Sequence, residues 1–190
     1  MKQLVLFAGF VVLLSGLGGC QGPARDKSGI EVIIEGNGEF PESLAGVWKA
    51  DKDGWEFVFE PDGTISSAVI SLGRVRMKPG ETTVIPMKMG GKGVFEPGEW
   101  IVHYFPAGQE LMVKISLKNL YVELGEDSLE GKSTDIFAGP VLKEGKVWQV
   151  EWTSFPDYVA HTAKHPNFPM TEDPDYGVSK TLIFEKFTEE

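Results

Sequence analysis

The feature that most constrains this chain is an apolar–polar alternation with a period of two, interrupted and restarted by turn residues. In "GWEFVFEPDGTISSAVI", Trp55, Phe57 and Phe59 alternate with Glu56, Val58 and Glu60. Side chains two apart share one face of a strand, so the pattern predicts half-buried β-structure. Pro61-Asp62-Gly63 follows as a turn, because proline presets φ and glycine accepts a positive one. A second hairpin is expected in "WIVHYFPAGQELMVKISL", turning at Pro106 to Gln109. Leu111, Val113, Ile115 and Leu117 share a face there, whereas Leu120, Val122 and Leu124 have the opposite parity. A bulge or corner near Lys118–Asn119 would return both sets to one side. A third turn is expected at 143–146, "KEGK", before a strand carrying Trp148, Val150 and Trp152 in phase. "TLIFEKF" (181–187) reads as the last strand. About eight to ten strands with almost no helical periodicity predict an all-β fold, an antiparallel barrel or sandwich.

Two stretches depart from that rhythm. "MKMGGKG" (87–93) reads as a glycine-rich bend, either a mobile rim loop or a long turn. Residues 156–178, "PDYVAHTAKHPNFPMTEDPDYGV", hold four prolines and read as an insertion before the last strand. Proline disfavours a long helix or a central strand, so only a short helix from Asp157 through Lys164 is expected there. An insertion of this length is usually functional or disordered.

The N-terminus is of another kind. Lys2 is followed by an apolar run, Leu4 to Leu17, of 14 residues. That is short of the roughly 20 a spanning helix needs and fits the apolar helix of a secretory signal peptide. Leu17, Gly18 and Gly19 then lead to Cys20, the single cysteine of the chain. This stretch resembles the lipobox of bacterial lipoproteins, with Gly18 where alanine, serine or threonine is commoner. The resemblance implies cleavage before Cys20 and acylation of its sulfur, with two or three chains giving firm anchoring. Gln21 rather than aspartate after the cysteine implies an outer-membrane destination if the organism is Gram-negative. The expected organisation is a signal peptide over 1–19, a lipidated tether over 20–43 and a β-barrel domain over 44–190. A small apolar island at 30–34, "IEVII", could add an edge strand.

Removal of residues 1–19 leaves 171 residues with 17 basic and 28 acidic side chains, a formal charge of −11. That is one domain's worth of chain. The acidic balance excludes the basic footprint that nucleic-acid binding requires. With no second cysteine, no intramolecular disulfide can form, so stability must come from packing.

"LAGVWKAD" followed by "WEFVFEPDGTI" is similar to the start of lipocalin-like proteins, where a Gly-x-Trp, here Gly46-Val47-Trp48, opens the first strand. The family's Thr-Asp-Tyr has at best Thr134-Asp135-Ile136 as its counterpart, lacking the aromatic, and no role is carried onto those positions. The resemblance implies an up-and-down barrel with a central cup for a small apolar ligand. Trp48, Trp55, Trp100, His103, Trp148 and Trp152 are the candidate lining residues. Small barrels can instead be filled by their own side chains, and five Trp and 12 Phe suit either state.

Catalytic signals are sparse. "GEDSLEGKST" (125–134) is not a phosphate loop, since its glycine spacing is wrong and Glu126, Asp127 and Glu130 would repel phosphate. His161 and His165 lie four apart and would share a helix face, a weak metal pair. His165 precedes proline, however, and Thr162 stands where a zinc protease needs glutamate. No nucleophile–base–acid set can be assembled from local motifs, and no cofactor is expected. Three readings result. One is a lipid-anchored barrel binding an apolar small molecule or lipid. Another is a solid barrel docking a second envelope protein through an aromatic patch around Phe155, Tyr158 and Phe168. The last, a hydrolase, would need a polar cluster in the barrel mouth, with His103 a candidate.

Overall fold

The computed structural model describes residues 29–36, 38–87, 90–162, 168–169 and 176–187. The expected signal helix, Cys20 and His165 lie outside these residues. Twelve strands form one sheet: β1 Ile30–Ile34, β2 Gly46–Ala50, β3 Glu56–Phe59, β4 Ile65–Ile70, β5 Val75–Met77, β6 Thr83–Pro86, β7 Lys92–Phe105, β8 Glu110–Leu124, β9 Asp127–Leu142, β10 Val147–His161, β11 Phe168–Pro169 and β12 Ser179–Phe187. Short 3-10 turns at Glu42–Leu44 and Leu72–Arg74 are the helical elements among the described residues.

The main sheet order is β1-β7-β8-β9-β10-β12-β2-β3-β4-β5, with β6 on β7 and β11 on β10. The three hairpins expected at 61–63, 106–109 and 143–146 all form. In the first, the Thr64 amide and hydroxyl donate to Asp62 Oδ1 at 2.9 and 2.7 Å. Those two bonds favour the ionised form and hold the Asp62 carboxyl below its ordinary value. The apolar island at 30–34 does become an edge strand, β1, which runs parallel to β7 with Ile30 opposite Trp100. Phe40 is also buried, so the folded part begins within the stretch expected as tether.

The expected closed barrel does not form, because no strand ladder joins β5 to β1 or β6. One edge of β7 carries β8 throughout, and the other is shared by β1 at 100–104 and β6 at 92–95, so on this side the sheet ends in β1 and β6. The sheet nonetheless rolls tightly. Phe57 on β3 meets Phe137 on β9 with ring centroids 5.1 Å apart, although four steps of the sheet order separate these strands. Phe40 spans the open side, 6.0 Å from both Phe59 and Tyr104. Gly63, at φ +86°, is required there: a Cβ would sit 2.8 Å from the Phe40 ring and 3.0 Å from Val32.

A line of irregularities bends the long strands. The register shifts in β7 around Pro97 and in β8 between Leu117 and Leu120, the place where the parity change predicts a bulge. In β9 the line continues through Gly131, at φ +149°, where a Cβ would overlap the Asp157 carbonyl oxygen. In β10 it reaches Pro156, which lies past Thr153, the last β10 residue paired with β12, and before Val159, the first paired with β11. Neither β12 nor β11 pairs with β10 at Pro156, so the missing N–H is tolerated. The helix expected from Asp157 is therefore replaced, through His161, by continuation of β10. A proline between two paired stretches does not stop a strand.

The interior is filled. Trp48, Phe57, Phe137, Trp148 and Phe184 have no exposed surface, and Phe57 makes ring contacts with Phe137, Trp148 and Phe184 at 5.1–6.1 Å. Of the two states open at sequence level, cup or solid core, the solid core is found in this part of the molecule.

Candidate functional site

The rolled sheet is not packed to its rim. At the bend line, inward residues of β8, β9 and β10 face the end of β4 and enclose an open cleft of about 360 Å³. Its apolar wall is Ile70, Leu72, Ile115 and Leu117, with Trp55 and Trp152 beneath. Its polar wall is Ser71, Ser133, Asp135, Ser154 and Tyr158. The volume lies at the small end of the range for ligand pockets.

Strand pairing explains the polar wall. Asp135 is opposite Ile115 of β8 and Ser154 of β10, and Ser133 is opposite Leu117 and Pro156. Ser133, Asp135 and Phe137 share the inward parity of β9, so the carboxylate is placed on the face that elsewhere carries Phe137 and Val141. Asp135 is only 7% exposed. Trp152 Nε1 donates to its Oδ1 at 3.0 Å, and Ser154 supplies a second hydrogen bond. Burial still prevails over these two bonds and pushes the Asp135 carboxyl above its ordinary value. Tyr158 shares a hydrogen bond with Ser133, and burial pushes its hydroxyl up to about 12. Trp55 is 3% exposed, and its Nε1 has no hydrogen-bond partner among the described residues.

The six aromatic and imidazole candidates divide three ways. Trp55 and Trp152 come together in the cleft, their centroids 5.9 Å apart. Trp48, Trp100 and Trp148 belong to the core instead. Trp48 Nε1 donates to the Leu44 carbonyl at 2.8 Å and Trp148 Nε1 to the Gly139 carbonyl at 3.2 Å. Trp100 is fully buried with its Nε1 unpartnered among the described residues. His103 does not enter the interior at all. The inward set on β7 is Trp100, Val102 and Tyr104, so His103 faces outward. Its Nε2 meets Glu35 Oε1 at 3.0 Å, and its ring lies 4.0 Å from that of Phe105.

The proposed histidine pair also changes. His161 sits on a strand and meets Glu130 Oε1 at 3.2 Å, so helical i, i+4 geometry does not apply. No group of three His, Cys, Asp or Glu among the described residues could hold a metal ion. The aromatic patch expected around Phe155, Tyr158 and Phe168 is divided. Tyr158 lines the cleft, whereas Phe155 has the opposite strand parity and meets Tyr176 at 5.9 Å.

Asp135, Ser133 and Ser154 were not among the sequence candidates, and Tyr158 was expected only in a docking patch. The available signal was the parity of "KSTDIFAGPV": Ser133 and Asp135 fall in phase with Phe137 and Val141. Two polar residues on an otherwise apolar strand face mark a polar site inside a core. Comparison with protein families, curated proteins and solved structures finds no match to this chain.

Proposed function

We propose that this is an exported, lipid-anchored binding protein whose β domain holds a small molecule in the rim cleft. The observation that carries the binding reading is the cleft itself: two tryptophans and four aliphatic side chains facing a buried carboxylate and four hydroxyls, open to the outside. An apolar lining supplies affinity and a few fixed polar groups supply orientation, the usual division in ligand sites. A lipocalin-like cup would hold its ligand deep inside. Here the deep interior is occupied by aromatic rings, and the ligand would sit at the mouth above them.

The anchoring reading rests on the apolar segment and Cys20. The acidic surface of the chain opposes docking on anionic lipid by charge, so acyl chains on Cys20 would be the attachment. Native mass spectrometry of the protein released from membranes tests the binding reading. A reproducible extra mass lost on denaturation supports it. The same extra mass on a Ser71→Trp variant, which fills the cleft from its rim, would place the ligand elsewhere. Cys20→Ala tests the anchor: the variant is expected in the soluble fraction, and retention in the membrane fraction would refute acylation.

A further inference from the structure

Building on the binding reading above, we infer that the ligand of the rim cleft carries an organic cation, a substituted ammonium group seated against Asp135 between Trp55, Trp152 and Tyr158. Among the described residues, Asp135 is the one carboxylate lining the cleft, and no lysine, arginine or histidine lines it. No salt bridge to Asp135 is formed by the described residues. Its hydrogen bonds come from two neutral groups, the Trp152 indole and the Ser154 hydroxyl. A carboxylate has about four lone-pair positions, so acceptor capacity remains for a ligand donor.

A buried charge without a counter-charge is unfavourable unless something pairs it. An anionic ligand would be repelled by Asp135, with no basic side chain among the described lining residues to offset it. A purely apolar ligand would strip water from the carboxylate and return nothing. A cation offsets the charge, and the faces of tryptophan and tyrosine attract it through their ring quadrupoles. The chain already brings one cation to this surface. Lys180 is opposite Trp152 on β12, and its Nζ stands 6.0 Å from the Trp152 ring centroid. That is the outer limit of a cation–π contact. The acidic balance of the chain, −10 overall, raises the local concentration of cations.

The test compares choline with 3,3-dimethylbutan-1-ol, its neutral carbon isostere, by following the five tryptophan indole N–H resonances of the full-length protein. Choline is expected to shift the Trp55 and Trp152 signals saturably, with the isostere weaker by about tenfold or more. Asp135→Asn, which keeps an acceptor for the Trp152 indole, is expected to weaken choline by about tenfold and to leave the isostere unchanged. Ser71→Trp should abolish binding of both. Equal binding of choline and isostere, or undiminished choline binding by Asp135→Asn, overturns the cation inference and leaves the cleft as a binding site. Failure of choline to shift either indole also overturns it. Failure of the binding reading itself is registered separately, by an extra mass that persists in the Ser71→Trp protein.

Discussion

Phe57→Ala is the sharpest probe of whether the rolled sheet encloses a solid core. Phe57 has no exposed surface and meets five aromatic rings: Trp55 at 6.0 Å, Phe59 at 6.1 Å, Phe137 at 5.1 Å, Trp148 at 6.1 Å and Phe184 at 5.3 Å. Phe137, Trp148 and Phe184 stand on β9, β10 and β12, so no single backbone shift can close the space left by the ring. Core Phe→Ala changes cost about 3–5 kcal/mol, and the cost grows with the part of the cavity that does not collapse. Aromatic pairs add about 0.5–1.5 kcal/mol each beyond area burial, though not additively within one cluster. The expected loss is therefore near the top of the range, about 4–5 kcal/mol. Against a total of about 5–15 kcal/mol this leaves a marginal fold. Phe57→Leu, which keeps most of the apolar volume, should lose only about 1–2 kcal/mol. Equilibrium urea unfolding, followed by tryptophan fluorescence and near-ultraviolet circular dichroism, measures both. A Phe57→Ala loss below about 1 kcal/mol would refute the solid core, because it would mean that the ring lines a space already empty.

Four further outcomes are expected. Gly131→Ala places a Cβ against the Asp157 carbonyl at φ +149°, and it should lower stability by about 2 kcal/mol or more in a thermal melt. Gly38→Ala, whose Cβ would meet only Ile34 and Pro106 at 3.8 Å, should change it by less than about 0.5 kcal/mol. The pH dependence of Asp135 has the opposite sign from that of a salt-bridged carboxylate. Burial raises its pKa in the folded chain, so the folded state holds the proton more tightly than the unfolded state. That contribution is complete below the unfolded value and is lost as pH rises through the raised folded value. Asp135→Asn should therefore be more stable than the parent at neutral pH, with the gap closing on acidification; a gap that widens toward low pH would contradict this. Trp152→Phe removes the indole donor, so the Asp135 carboxyl should titrate still higher by NMR, and no change would mean that the 3.0 Å bond is not formed in solution.

Much of the fold is legible residue by residue. The alternation through Trp55, Phe57 and Phe59, the Pro61-Asp62-Gly63 turn and the parity change at Lys118–Asn119 each depend on neighbours close in sequence. Period-two patterning and turn chemistry are local, so they can be read without knowing which strands meet. Part of the cleft was within reach in the same way: Trp55 and Trp152 carry the inward parity of their strands. Asp135 carries it too, but parity says only that a side chain points inward, not whether anything fills the space it points into.

What the sequence by itself determined is the all-β character, the main hairpins, the place of the β8 bulge and an aromatic-rich inward face. The tertiary structure decided the rest: the parallel docking of β1 on β7, the sheet left open between β5 and β1, and the burial of Trp48 and Trp148 in a solid core while Trp152 reached a cleft. It also turned His103 outward and brought Asp135 opposite the end of β4. These outcomes depend on which distant segments share an edge and how far the sheet rolls. Such choices are set by many weak contacts between residues far apart in the chain, and no local pattern encodes them.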